Sequence, residues 1–225
     1  MSRRVVSASD PNIESSLALR SIIRLNDSSI HAVGQWKRGK GKRVHNRRHE
    51  DIAISLYDAT VAAYLQITRA ASGCLDKGLA HCTETGADPE ELTAARLFPD
   101  MMPLAFQIEL VNHHSLPAIE GCKTGVFKPP PLTWSTLNYG ALQKLIADTI
   151  AGLETVTADE INRLEGRNVQ FVAGNRQMSY TVEDFLLSFS VPNFYFHATT
   201  AYDILRAKGV KIGKRDFLGS PRMKG

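Results

Sequence analysis

The stretch DFLLSFSVPNFYFHATTAYDILRAKGV, residues 184–210, decides the fold. Thr181 with Asp184 three residues on has the form of a helix start in the capping-box style. Gly209 sits where a glycine closes a helix. Only Pro192 opposes a helix running from about Thr181 to Lys208, and its missing N–H predicts a bend one turn before His197. From Phe185 to Phe196 the segment is apolar nearly all round, which marks a helix enclosed in a core. Asn193 and His197 lie four residues apart and stack on one face. That face offers two polar groups to a metal or a small molecule, or it is a buried hydrogen-bonded pair.

Three more helices can be read ahead of it. Leu56, Ala59, Ala63, Ile67, Ala70, Cys74 and Gly78 recur at steps of three or four, giving one helix face from Ile54 to about Thr83. A second helix is expected to begin near Pro99-Asp100, with Leu104, Ile108 and Val111 on its inner face and Pro117 kinking or ending it. The segment GCKTGVFKPPPLT, 121–133, reads as a loop. A third helix is expected from about Thr133 to Val156, followed by a short turn in TADEINRL. Then the period drops to two. NVQFVAGNRQMSYTV alternates about Gly174-Asn175 and predicts a β-hairpin pairing Val169–Val172 with Met178–Val182. The expected fold is therefore all-α, a four-helix bundle with a small β-hairpin between helices 3 and 4.

Bulk composition narrows the classes. In 225 residues, 43% hydrophobic and 22% charged is ordinary for a globular chain. No apolar run reaches the ~18–20 residues of a membrane span, and the N-terminus lacks a secretory core, so an intracellular, cytoplasmic protein is expected. Three cysteines, Cys74, Cys82 and Cys122, without C-x-x-C spacing argue against a disulfide framework or a zinc ribbon. The charge is uneven: residues 1–50 hold 11 Lys/Arg against 4 Asp/Glu, and the remainder 16 against 19. Residues 1–50, with QWKRGKGKRVHNRRHE at their end, read as a basic, disordered extension. It is a solvated tail, an arm for nucleic acid or another anionic surface, or an organelle-targeting segment. Residues 51–219 form the expected bundle and 220–225 a tail.

The stretches ISLYDATVAAYLQ (54–66), ARLFPDMMPLAFQIE (95–109), DFLLSFSVPNFYFHATTAYDILRAKGV (184–210) and GKRDFLG (213–219) resemble the family labelled domain of unknown function nineteen ninety-three. Through it the chain is similar to the wider DinB-like and YfiT-like superfamily of four-helix bundles. The resemblance covers about Ile54 to Gly219. It implies a site: the superfamily's metal-binding members use three histidines, one on the second helix and two, four residues apart, on the fourth. His197 falls on the last of these. Asn193 stands at the position four earlier, and Gln107 near the second-helix position. Amides are poor zinc ligands, so the resemblance implies a degenerate metal site. Related superfamily members are metal-dependent thiol transferases or hydrolases.

These residues yield the functional expectations. Gln107, Asn193 and His197 would line a polar pocket between helices 2 and 4 that binds an unknown small molecule. His197 is the candidate general acid or base, since an unperturbed imidazole titrates near working pH. If a divalent metal such as zinc or nickel is held, His197 is one ligand and His114 the substitute, seven residues after Gln107 on roughly the same stripe. His113 and His114, being adjacent, are not expected to face one site, and a solvated surface is the plainer reading for the pair. His81 beside Cys74 and Cys82 makes no site. Asp58 and Asp203 could serve as bases, but Asp203, six residues past His197, falls nearly on the opposite face and is expected to pair with Arg206 or solvent, and Asp58 reads more plainly as a structural cap. The alternative is a non-catalytic module that dimerises with itself through a helix face. GKRDFLG reads as a clasp folding back on the bundle.

Overall fold

The stripe of small and apolar residues at the start of the body builds the longest element. In a computed structural model, which describes residues 54–131 and 133–223, a one-turn helix α1 (Leu56–Ala59) is followed by the 25-residue α2 (Val61–Thr85). They are separated because the Thr60 backbone leaves helical geometry and its hydroxyl donates to the Leu56 carbonyl at 2.6 Å. α2 buries Val61, Tyr64, Ile67, Cys74, Leu75, Gly78 and Cys82 on one side. The basic residues 1–50 lie outside the described part.

Prolines set the next boundaries. α3 (Pro89–Thr93) starts at the Asp88 cap. α4 (Leu104–His113) begins later than the sequence suggested, with Pro103 as its N-cap. A proline drives the residue before it out of helical geometry, so no helix can enter through Met102. Pro117 does not kink a continuous helix. α4 ends and α5 (Leu116–Thr124) starts afresh with that proline in its first turn, where a missing N–H is harmless. The expected loop 121–133 is therefore corrected: 121–124 finish α5, and Val126–Phe127 form a strand, β1. Gly121 is there for close approach rather than as a breaker, since a Cβ on it would lie 3.0 Å from the Phe127 Cβ.

A 3₁₀ turn at Trp134–Thr136 precedes α6 (Tyr139–Glu154), which Asn138 caps through the Ala141 N–H. Glu109 of α4 fixes this turn. Its buried carboxylate accepts from the Thr133 N–H at 2.8 Å, the Thr133 hydroxyl at 2.7 Å and the Trp134 N–H at 3.1 Å. Glu109→Gln replaces one acceptor oxygen by a donor facing these groups. It should lower unfolding free energy by roughly 1–3 kcal/mol in urea titration.

α7 (Ala158–Asn162) carries a full capping box from Thr157 and Glu160. The hairpin follows as β2 (Asn168–Ala173) and β3 (Arg176–Thr181), with Phe171 opposite Met178. β1 joins β2 in parallel, so the sheet has three strands in the order β1-β2-β3. The last long segment opens as α8 (Val182–Phe185) from the Thr181 cap, passes through a π-helical turn at Leu186–Ser190, and continues as α9 (Val191–Ala207). Pro192 is the cause. Lacking an N–H, it cannot continue the ladder, and Val191 instead bonds five residues back to Leu186. The segment is not apolar-enclosed throughout, since Leu187 and Phe196 are exposed.

α2 packs on α6 and α9, and α4 packs on the same two, closing a cycle of helices. The protein is thus mostly helical with a small sheet. α10 (Lys214–Leu218) lies on α2, held by Gln66 Nε2 donating to the Leu218 carbonyl at 2.9 Å and by the Phe217 ring 5.7 Å from Tyr202. Among the described residues no helix is long and apolar enough to cross a membrane.

Candidate functional site

The α4–α9 seam brings Gln107, His114 and His197 together. Gln107 sits in the first turn of α4, facing inward because the helix stripe puts it one turn from Leu104 and Val111. Its Nε2 donates to the Met102 carbonyl at 2.9 Å. A carbonyl can only accept, so the amide orientation is fixed and Gln107 Oε1 is left as an acceptor. That oxygen lies 2.8 Å from His197 Nδ1 on α9. Nδ1 must therefore carry the proton, and Nε2 of His197 bears the free lone pair. His197 is 8% exposed and Gln107 3%.

His114 stacks nearly parallel to His197, at 6° with ring centroids 5.8 Å apart. It is 5% exposed, and its Nδ1 has no hydrogen-bond partner among the described residues. Its backbone carbonyl is pinned. Ser190, in the π turn, donates its one hydroxyl hydrogen to it at 2.8 Å, so the Tyr64 hydroxyl must donate to Ser190 Oγ, also at 2.8 Å. Neither Tyr64 nor Ser190 was expected from the sequence. Two serines, Ser188 and Ser190, inside an apolar helix run are the signal that could have pointed to it. Phe106 and Phe189 stand edge-on to His197 and His114, at 5.8 and 5.7 Å.

The expectation that His113 and His114 cannot share a site, and its solvated-surface reading, are both overturned. α4 ends at His113, and His114 leaves helical geometry as its C-cap. The fixed angular step of a helix no longer applies, and both rings turn inward. His113 lies 5.2 Å from His114 and 4.6 Å from Phe127.

Burial makes these imidazoles poor bases. Desolvation pulls His197 down to about 3, with His113 nearby adding to the shift. Desolvation takes His113 to about 4, opposed only in part by the Lys128 backbone carbonyl. His114 is pushed well below the ordinary value by burial and by both neighbouring imidazoles. His197 is therefore neutral at neutral pH, and the premise of an unperturbed acid/base does not hold.

Asn193 does not meet His197. It is half-buried, and its amide nitrogen turns back along its own helix to the Phe189 carbonyl at 2.7 Å. Asp58 is exposed and bonded to Ser55; Asp203 is exposed and distant in role. The residues present do not fit a resident zinc or nickel ion. The His113, His114 and His197 rings lie near one another, but among the described residues no group of three His, Cys, Asp or Glu side chains is placed to hold a metal ion. Both polar ends of the Gln107 amide are engaged, as is the nitrogen of Asn193, which leaves the imidazoles of His113, His114 and His197 without an anionic donor. A separate groove of about 440 Å³ between α2 and α10 is lined by Gln66, Arg69, Lys77, Asp216 and Arg222. Of its cations, Arg69 pairs with Glu154, Lys77 with Asp216 and Arg222 with Asp58, and Arg215 also lines it.

A family model described as Domain of unknown function (DUF1993) matches residues 56–218. Among solved structures, the chain is similar to a DinB family member protein from Shewanella denitrificans. The identity is 26% and the TM-score 0.63, over 76% of this chain and 95% of that one. No curated protein matches.

Proposed function

This chain belongs to the Domain of unknown function (DUF1993) family, and from that premise we propose that it is a DinB-like four-helix bundle binding a small molecule in the polar seam between α4 and α9. The cycle formed by α2, α6, α4 and α9, and the likeness to a DinB family member, support the bundle. The observation that carries the binding reading is the unpartnered His114 Nδ1, buried beside a fully ordered Gln107–His197 pair. An unsatisfied buried polar group costs roughly 1–3 kcal/mol, and buried titratable clusters with strongly shifted affinities mark functional sites. His197 enters as a binding residue. Its engaged Nδ1 and buried ring orient a lone pair rather than store a proton.

Replacement of His114 by leucine tests this. A histidine kept for folding costs stability when replaced. One kept for a ligand returns it, because the leucine removes the orphaned nitrogen and keeps the volume. The melting temperature of His114→Leu should rise by roughly 2–4 °C, as expected for about 1 kcal/mol in a chain of this size. A fall of the same size would make His114 structural and remove the reading's support.

Phe98, 64% exposed, and Phe196, 59% exposed, favour a second reading, in which the chain pairs with a copy of itself through an apolar face. Sedimentation should then show a dimer that Phe196→Ser dissociates.

A further inference from the structure

The seam's polar groups also specify what kind of ligand it accepts, a step that rests on the binding reading above. The Gln107 amide is locked by the Met102 carbonyl, so it forces the Nδ1–H form of His197 and leaves Nε2 as an acceptor. His114 adds a second buried imidazole, whose Nδ1 has no partner among the described residues. The surroundings are flat and apolar. Phe106 lies edge-on to His197 at 5.8 Å, Phe196 at 5.2 Å, and Phe189 edge-on to His114 at 5.7 Å. Met101, Met102 and Asn193 are half-buried and Phe196 is exposed. Met102 is held by its bond to Gln107. Arg96 donates to the Met101 carbonyl at 3.0 Å. The carboxylate nearest in sequence, Glu109, is taken up by Thr133 and Trp134.

We propose that the seam takes a neutral, planar ring bearing an O–H or N–H donor, which lies between the phenylalanines and donates to His197 Nε2. An anion would meet the lone pair that the Gln107 contact leaves on His197 Nε2. A cation would lose its hydration with no carboxylate to receive it. A neutral donor loses little on leaving water and supplies the partner that His197 Nε2 accepts from.

Four one-ring probes separate these cases: phenol, toluene, benzoate and benzylammonium. The Cε1–H signals of His114 and His197 in the full chain are followed by NMR. Phenol should shift both saturably and bind about tenfold tighter than toluene, the worth of one net hydrogen bond. Benzoate and benzylammonium should bind more weakly than phenol. In Gln107→Leu the tautomer is released, and the phenol advantage over toluene should disappear. Equal binding of toluene, or tighter binding of benzoate or benzylammonium, overturns the ligand class and leaves the binding seam standing. Failure of all four to move either signal sinks the class and the binding reading together.

Discussion

Stability is expected to fall by roughly 4 kcal/mol for each pH unit across the range from about 6 to about 4, the sum of three imidazoles at about 1.4 kcal/mol per unit each. In the unfolded chain His113, His114 and His197 take up protons near the ordinary value of 6.5. In the fold, burial holds His113 down to about 4 and His197 to about 3, with His114 well below the ordinary value. Between these limits the unfolded state binds more protons, so acid favours unfolding. All three pKa values are depressed by folding. The stability is therefore complete above about 6.5 and is lost as pH falls through the folded values. None of the three rings is paired with a carboxylate. The first proton to enter is met by two further rings within 6 Å of His114, which raises the penalty for the second. A domain holding about 5–15 kcal/mol in total should therefore melt by about pH 4. Urea titrations across this range measure the slope, and His113→Gln and His197→Gln should each remove about a third of it. A flat profile between pH 7 and 5 would mean that water reaches these rings in the fold.

Helix periodicity was legible because it depends on local spacing. The α2 stripe and the Thr181 cap appear close to where the residues put them, whereas the third helix starts at Tyr139 rather than Thr133, behind a 3₁₀ turn. The hairpin was legible for the same reason, as two alternating runs about one glycine turn. β1 was not. A two-residue strand is made by its partner, and Val126 and Phe127 are extended because β2 lies beside them. Pro192 was read correctly as an obstacle, but the consequence was a π turn rather than a simple bend. That turn also places Ser190 against both Tyr64 and His114, contacts separated by 126 and 76 residues that local spacing does not reveal.

The site divides in the same way. His197 and Gln107 were found through spacing and resemblance, and the structure joins them directly. Asn193 was singled out by the four-residue rule, which says that two side chains share a face and nothing about which partner each will choose. The Phe189 carbonyl was closer. His113 was set aside by the assumption that a helix continues through it. Electrostatics was the least legible: seven histidines look alike in a sequence, and it is burial that depresses the proton affinity of His113, His114 and His197.

Gly78→Ala should cost roughly 3–5 kcal/mol, large for so small a change, combining overpacking with a broken buried hydrogen bond. A Cβ at Gly78 would lie 2.2 Å from the Tyr139 hydroxyl oxygen and 3.3 Å from Leu205. The tyrosine cannot swing away without loss. It is 2% exposed, and its hydroxyl donates to the Leu75 carbonyl of the same α2 helix at 2.7 Å. Displacing it leaves a buried hydroxyl without a partner and pushes α6 from α2, one of the contacts that close the helix cycle. The helix itself gains from alanine, by about 1 kcal/mol in intrinsic propensity. A stabilised variant would thus show that the two helices are not in close contact here. The double variant decides the cause. Tyr139→Phe alone should cost about 1–2 kcal/mol for the lost hydrogen bond. In the Gly78→Ala background it removes the obstructing oxygen, so the pair should be more stable than Gly78→Ala alone. Additive losses would instead place the damage in the backbone of α2.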